Sequence, residues 1–166
     1  MKRACIAVVD ALRARLYTYE EGGDPTHQLS EKQDLVNAGR RLKVGDMVSN
    51  NEPGMDVSPG GARARSQTDD HRDAKVEEMD SKFAREIVEN IERLVNEDGF
   101  RHLIVVASPK MLGLMRQADG VLHRPDLTID EISRDLAKLT SSQLHDHLAS
   151  MKLIPARVRL ATARAR

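Results

Sequence analysis

Aromatic residues are scarce: two Tyr, two Phe and no Trp among 166 residues. A core must then be built from Leu, Ile, Val, Met and Ala, and a hydrophobic content of 40% is enough for one domain. There is one cysteine, Cys5, so no disulfide can form within the chain, as suits a reducing compartment. Cys5 lies in an apolar stretch and reads as a buried thiol rather than a nucleophile. Charge of one sign is also lacking. The 26 basic and 26 acidic residues cancel, so bulk charge points to no partner and only local clusters can. No apolar run approaches a membrane span. Ala4 to Val9 is too short for the core of a secretion signal and is cut off by Asp10. A cytoplasmic protein without membrane association is expected, and no internal repeat is present.

What is there is organised around Gly99 to Pro109. Leu103 to Ala107 is a continuous apolar run rich in β-branched residues, which predicts a strand covered on both faces. Gly99 suits the left-handed close of a preceding helix, and Ser108-Pro109 has the cap and first residue of a following one. That preceding helix is predicted over Asp73 to Asp98, with Val76, Met79, Phe83, Ile87, Ile91 and Leu94 as its apolar stripe. Asp69, Asp70 and Asp73 suit its positive end. Upstream, Ala4 to Asp10 is a strand and Asp10 shapes a tight return. Arg13 to Tyr19 alternates, with Ala14, Leu16 and Thr18 inward and Arg13, Arg15, Tyr17 and Tyr19 on a wetter face. His27 to Val36 completes a meander. Downstream come a short helix over Lys110 to Ala118, a strand over Leu127 to Ile132 and a helical turn over Arg134 to Leu139. The last helix is announced by the capping-box pattern Thr140-Ser-Ser-Gln143, with Leu144, Leu148 and Met151 inward. The expected architecture is one α/β domain over residues 1–151: a mixed, mostly antiparallel sheet flanked by helices.

Two stretches do not fit that pattern. Residues 39–72 hold half of the ten glycines and little apolar periodicity beyond Leu42 to Val48, an edge-strand candidate. A loop this long in a small domain is functional or a solvated, mobile insertion. Its centre, Gly60-Gly-Ala-Arg-Ala-Arg65, is free of acidic residues. Glycines permit close backbone approach and arginines grip phosphates by two-point hydrogen bonds. Residues 152–166 carry Lys152, Arg157, Arg159, Arg164 and Arg166 with no acid: a frayed tail or a basic arm.

Other chemistries find little support. The Gly-Gly segment lacks the Gly-Lys-Ser/Thr ending of a nucleotide loop, and there is no Gly-x-Ser-x-Gly elbow. His145 and His147, two apart on a helix, point to different sides and make a poor zinc pair. A two-metal nuclease needs acidic groups converging near strand ends, yet Ser108 and Pro109 follow the central strand. No metal and no cofactor is expected.

Ile6-Ala-Val-Val-Asp10 with Ala14-Arg-Leu-Tyr17, Glu52-Pro-Gly54, Lys82-Phe-Ala-Arg-Glu86, Leu103-Ile-Val-Val-Ala-Ser-Pro109, Leu112-Gly-Leu-Met-Arg116 and Arg134-Asp-Leu136 occur in an order that resembles the bacterial host attachment protein family. That family is similar to the middle domain of archaeal and eukaryotic peptide-chain release factors and of Pelota. The resemblance implies an RNase H-like core with a long loop after the early strands. In release factors this loop carries Gly-Gly-Gln, which enters the ribosome and helps water cleave peptidyl-tRNA. Here Gly60 and Gly61 match the glycines, but Ala62 stands where glutamine belongs, and the next glutamine is Gln67. The resemblance thus implies a non-catalytic factor associated with RNA, the ribosome or tRNA, with Gly60, Gly61, Arg63, Arg65, Gln67, Arg72, Arg157 and Arg159 as contact residues. A peptidyl-tRNA esterase using a displaced Gln67, and a protein-interaction module acting indirectly in attachment to host cells, are the alternatives.

Overall fold

The computed structural model describes residues 2–22, 29–40 and 67–157, the first six of the last stretch as backbone. Five strands form one sheet: β1 (Arg3–Val9), β2 (Arg13–Glu20), β3 (Ser30–Val36), β4 (His102–Ala107) and β5 (Thr128–Ser133). Among the described residues the longer α-helices are α1 (Gln67–Asp98), α2 (Pro109–Gln117) and α3 (Ser141–Ser150), and residues 38–40 are helical as well. A 3-10 turn covers Val121–His123. The strand order is β3-β2-β1-β4-β5. β2 pairs antiparallel with both β1 and β3, whereas β4 pairs parallel with β1 and β5 with β4. The sheet is therefore evenly mixed rather than mostly antiparallel. Each of the last two strands is reached through a helix, and a helical crossover delivers the next strand parallel.

The central strand is as apolar in its setting as in its sequence: Leu103 to Ala107 are all fully buried. Cys5, Ala7, Val9, Leu103, Val105 and Ala107 face α1 and α2, whose Phe83, Ile87, Ile91, Met111 and Met115 fill the space. Ala4, Ile6, Val8, Ile104 and Val106 face the other way, onto Leu144 and Leu148 of α3. The molecule is thus a sheet between two helical layers.

That second layer corrects the wetter face assigned to β2. Tyr17 is fully buried and Tyr19 nearly so, packed in the cluster that α3 covers. Alternation separates the faces of a strand but does not say whether both are covered. Two further corrections concern boundaries. α1 begins at Gln67, so residues 67–72 are helical, as are residues 38–40, and neither belongs to the loop predicted over 39–72; the rest of that stretch lies outside the described residues. Asp69, Asp70 and Asp73 fall inside the first two turns of α1, where the helix dipole favours carboxylates. Arg134 to Leu139 makes turns and no helix; Asp135 accepts the amide of Ala137 at 3.3 Å, a local bond that competes with helix formation. The edge strand read at Leu42 to Val48 and the start of the third strand at His27 lie outside the described residues.

The predicted punctuation is present. Gly99 has φ +66° and closes α1, with the Phe100 amide donating to the Val95 carbonyl at 3.1 Å. The Ser108 hydroxyl accepts the Met111 amide at 3.3 Å with Pro109 leading α2. Thr140 and Gln143 form the reciprocal capping box of α3. Cys5 is fully buried. Desolvation, reinforced by the charge of Asp98, pushes its thiol up to about 12. Because the thiolate is the nucleophile, iodoacetamide at pH 8 is expected to leave Cys5 unmodified in the native protein. Labelling should appear only across the urea unfolding transition; alkylation of the folded chain would contradict this burial.

Candidate functional site

Lys110 follows the carboxyl end of β4, and its ammonium reaches Asp80 of α1. α1 therefore runs back past the sheet so that its amino-terminal half lies at the carboxyl ends of β1 and β4. In α/β sheets this is the end where ligands bind. The helix is far longer than the strands: 32 residues, or about 48 Å at 1.5 Å per residue. The first buried side chain in its described part is Asp80, and Asp73 to Met79 are all exposed or half-buried. From Gln67 to Asp80 the helix covers about 20 Å, much of it beyond the core.

Asp80 is the centre of this end. Its side chain is 0% exposed, a burial that a carboxylate tolerates only when paired. Arg40 supplies a two-point grip, Nε to Oδ1 at 2.9 Å and Nη2 to Oδ2 at 2.8 Å. Lys110 Nζ donates to the same Oδ2 at 3.1 Å. Burial alone would raise the carboxyl, but the hydrogen bonds and charges of Arg40 and Lys110 outweigh it and hold Asp80 below its ordinary range. Arg40 itself is positioned from the sheet. Asn37, buried after β3, donates its side-chain amide to the Ala11 carbonyl at 3.0 Å, and its backbone amide goes to Leu12 at 2.8 Å. Its side-chain oxygen accepts the Arg40 amide at 3.4 Å. The β1–β2 turn, the segment after β3, α1 and α2 are thereby tied together at one place.

Asp10 has the role its position suggests. One carboxylate oxygen accepts the amides of Leu12 at 2.6 Å and Arg13 at 2.7 Å, which fixes the turn. Among the described residues no group of three His, Cys, Asp or Glu side chains could hold a metal ion. His145 and His147 do not converge: the buried His145 donates Nε2–H to the Pro155 carbonyl at 2.9 Å, while His147 Nε2 lies 3.5 Å from Arg134 Nη1. No helix among the described residues is long and apolar enough to cross a membrane.

Of the sequence-predicted contact residues, Gly60, Gly61, Arg63, Arg65 and Arg159 lie outside the described residues. Gln67 and Arg72 belong to α1, at its first residue and in its second turn. Arg157 is held by Asp146, with Nε 2.9 Å from Oδ1 and Nη2 on the second oxygen. It lies beyond α3 and is not part of the Asp80 cluster. Sequence reasoning missed Asp80, Arg40 and Lys110. The signal existed: 76, 80, 83, 87, 91 and 94 step by four and three, so Asp80 occupies the apolar stripe and demands a cationic partner.

Residues 5–148 match the family described as "Protein required for attachment to host cells". The chain belongs to this family. No curated protein matches it significantly. Within the matched span fall β1 from Cys5 onward, the other four strands, Arg40, Asp80 and Lys110, so the cluster belongs to the part of the chain that defines membership.

Proposed function

We propose that this member of the host attachment family is a non-catalytic RNA- or ribosome-associated factor with an RNase H-like, release-factor-middle-domain-like core. A meander of three antiparallel strands followed by two helix-linked parallel strands, in the order β3-β2-β1-β4-β5, supports that fold reading. One observation carries the function. The acid-free segment Gly60-Gly-Ala-Arg-Ala-Arg65 belongs to a stretch whose flanks, Arg40 and α1, are locked together through Asp80 at the carboxyl end of β1 and β4. Arginines in a segment whose two flanks are anchored on a rigid base are suited to phosphates, which contribute most of the affinity in sequence-tolerant RNA binding. Ala62 in the glutamine position and Gln67 at the start of α1 favour a binding role over hydrolysis.

Filter binding of tRNA and sedimentation with ribosomes, each at 50 and 200 mM salt, test the reading. Arg63→Ala with Arg65→Ala is expected to weaken tRNA binding about tenfold or more at low salt and to flatten the log–log salt slope by about 1.5. Absence of binding at 50 mM salt, or a double variant that behaves as wild type, removes the proposal.

A further inference from the structure

The Arg40–Asp80–Lys110 cluster holds two cations and one carboxylate, so it carries an excess positive charge. Arg40 Nη2 and Lys110 Nζ are 2.8 and 3.1 Å from the same oxygen, which places them within about 6 Å of each other. Two like charges at that spacing repel unless anions lie between or over them, and Asp80 answers for only one. No other carboxylate among the residues whose side chains are described makes an ion pair with either cation.

The accessibilities divide the cluster into a buried support and an outward face. Asp80 is 0% exposed, whereas the Arg40 and Lys110 side chains are 29% and 55% exposed. Asp80 cannot swing into solvent, and it fixes the guanidinium plane by two bonds. Lys110 Nζ uses one of its three donors on Asp80 among the described residues. Lys110 is the second residue of α2, at the positive end of that helix. A half-buried guanidinium and an exposed ammonium, both preorganised over a buried acid, suit a tetrahedral oxyanion, which takes several charge-assisted donors at once.

We propose that Arg40 and Lys110 form a phosphate-binding site, with Asp80 as the positioning residue beneath them. The ligand class is a phosphate mono- or diester. Resting on the RNA reading, the inference assigns one backbone phosphate of a bound RNA to this fixed pair. A small phosphate compound would meet the same chemistry.

The test uses the full chain with Lys110→Gln, an exposed position whose loss leaves the Arg40–Asp80 fork intact. Lys82→Gln, which removes a cation paired with Glu78 elsewhere on α1, is the control. The probes are tRNA in a salt titration and inorganic phosphate followed by backbone amide shifts. Lys110→Gln is expected to weaken tRNA binding about three- to tenfold and to reduce the salt slope by about 0.7 to 0.9, one phosphate contact, with Lys82→Gln unchanged. If wild type binds tRNA and Lys110→Gln matches it in affinity and slope, this site is refuted while the RNA reading stands. If wild type binds no tRNA, the RNA reading fails and inorganic phosphate decides. Shifts at Lys110 and Met111 that vanish in Lys110→Gln support the site, and their absence overturns it.

Discussion

Replacing Arg40 by methionine is expected to cost about 3 kcal/mol of stability at pH 7, measured by urea denaturation, because it strands a buried carboxylate. Lys110 alone cannot replace the two-point grip: it offers one bond to Asp80, from a side chain that is largely in water. The cost should depend on pH in a defined direction. Asp80 is held below the ordinary carboxylate range by Arg40 and Lys110 against the opposing effect of burial. Its unfolded counterpart titrates at about 3.9. Between those values the unfolded chain binds more protons than the native one, so the contribution of the cluster is fully present above about pH 4 and is lost as pH falls through the folded value. The gap between wild type and Arg40→Met should thus be widest near neutrality and narrow below about pH 4, where a neutral carboxyl no longer needs the guanidinium. Arg40→Met combined with Asp80→Leu should recover most of the loss, since apolar replacement of a whole buried pair is often neutral. A single variant within about 0.5 kcal/mol of wild type, a surface-type effect, would show that Asp80 is not buried as described.

That cluster also marks where the sequence ceased to be readable. Elements with local causes were legible: the β-branched run of β4, the glycine that closes α1, the serine and proline that open α2, the capping box of α3. Each depends on a few adjacent residues. Asp80, Arg40 and Lys110 are 30 to 70 positions apart and meet only because α1 folds back over the sheet. Even so, an acid in register with the apolar stripe of α1 carried half of the information, because burying a charge requires a partner. The evenly mixed sheet was obscured for the opposite reason. Hairpin order is local, and strand direction after a helical crossover is not.

Candidate contact residues could be chosen from the sequence by residue type but not by place. Composition singled out arginines in the Gly60–Arg65 segment and in the tail, since arginine without nearby acid is a signature that residue types can show. Arg157 illustrates the limit: it donates two hydrogen bonds to the Asp146 carboxylate, eleven residues earlier on α3. Arg40 and Lys110 look like any other surface cations in the sequence. What distinguishes them is that a buried acid holds them together, and this is a property of the fold. The site that ties the chain after β3 to α1 is therefore structural and, by the proposal above, chemical as well.

The second large effect concerns α3. Leu148→Ala is expected to destabilise the domain by about 3 kcal/mol, the middle of the range for deleting a large buried aliphatic side chain. Leu148 is fully buried among Ile6, Val8, Ile104 and Val106 and the two tyrosines of β2. α3 has ten residues, and a helix so short is marginal alone in water. Its capping box contributes about 1 kcal/mol, less than the packing supplied by Leu144 and Leu148. Loosening should hence begin locally. In hydrogen exchange, amides of α3 should lose protection in Leu148→Ala before those of β1 and β4, and the near-ultraviolet signal of Tyr17 and Tyr19 should weaken with them. Ser150→Ala, at an exposed position on the same helix, should stay within about 0.5 kcal/mol of wild type. If Leu148→Ala cost as little as Ser150→Ala, α3 would not be covering the face of β2 that alternation alone had left open to water, and the three-layer description would have to be given up for two layers.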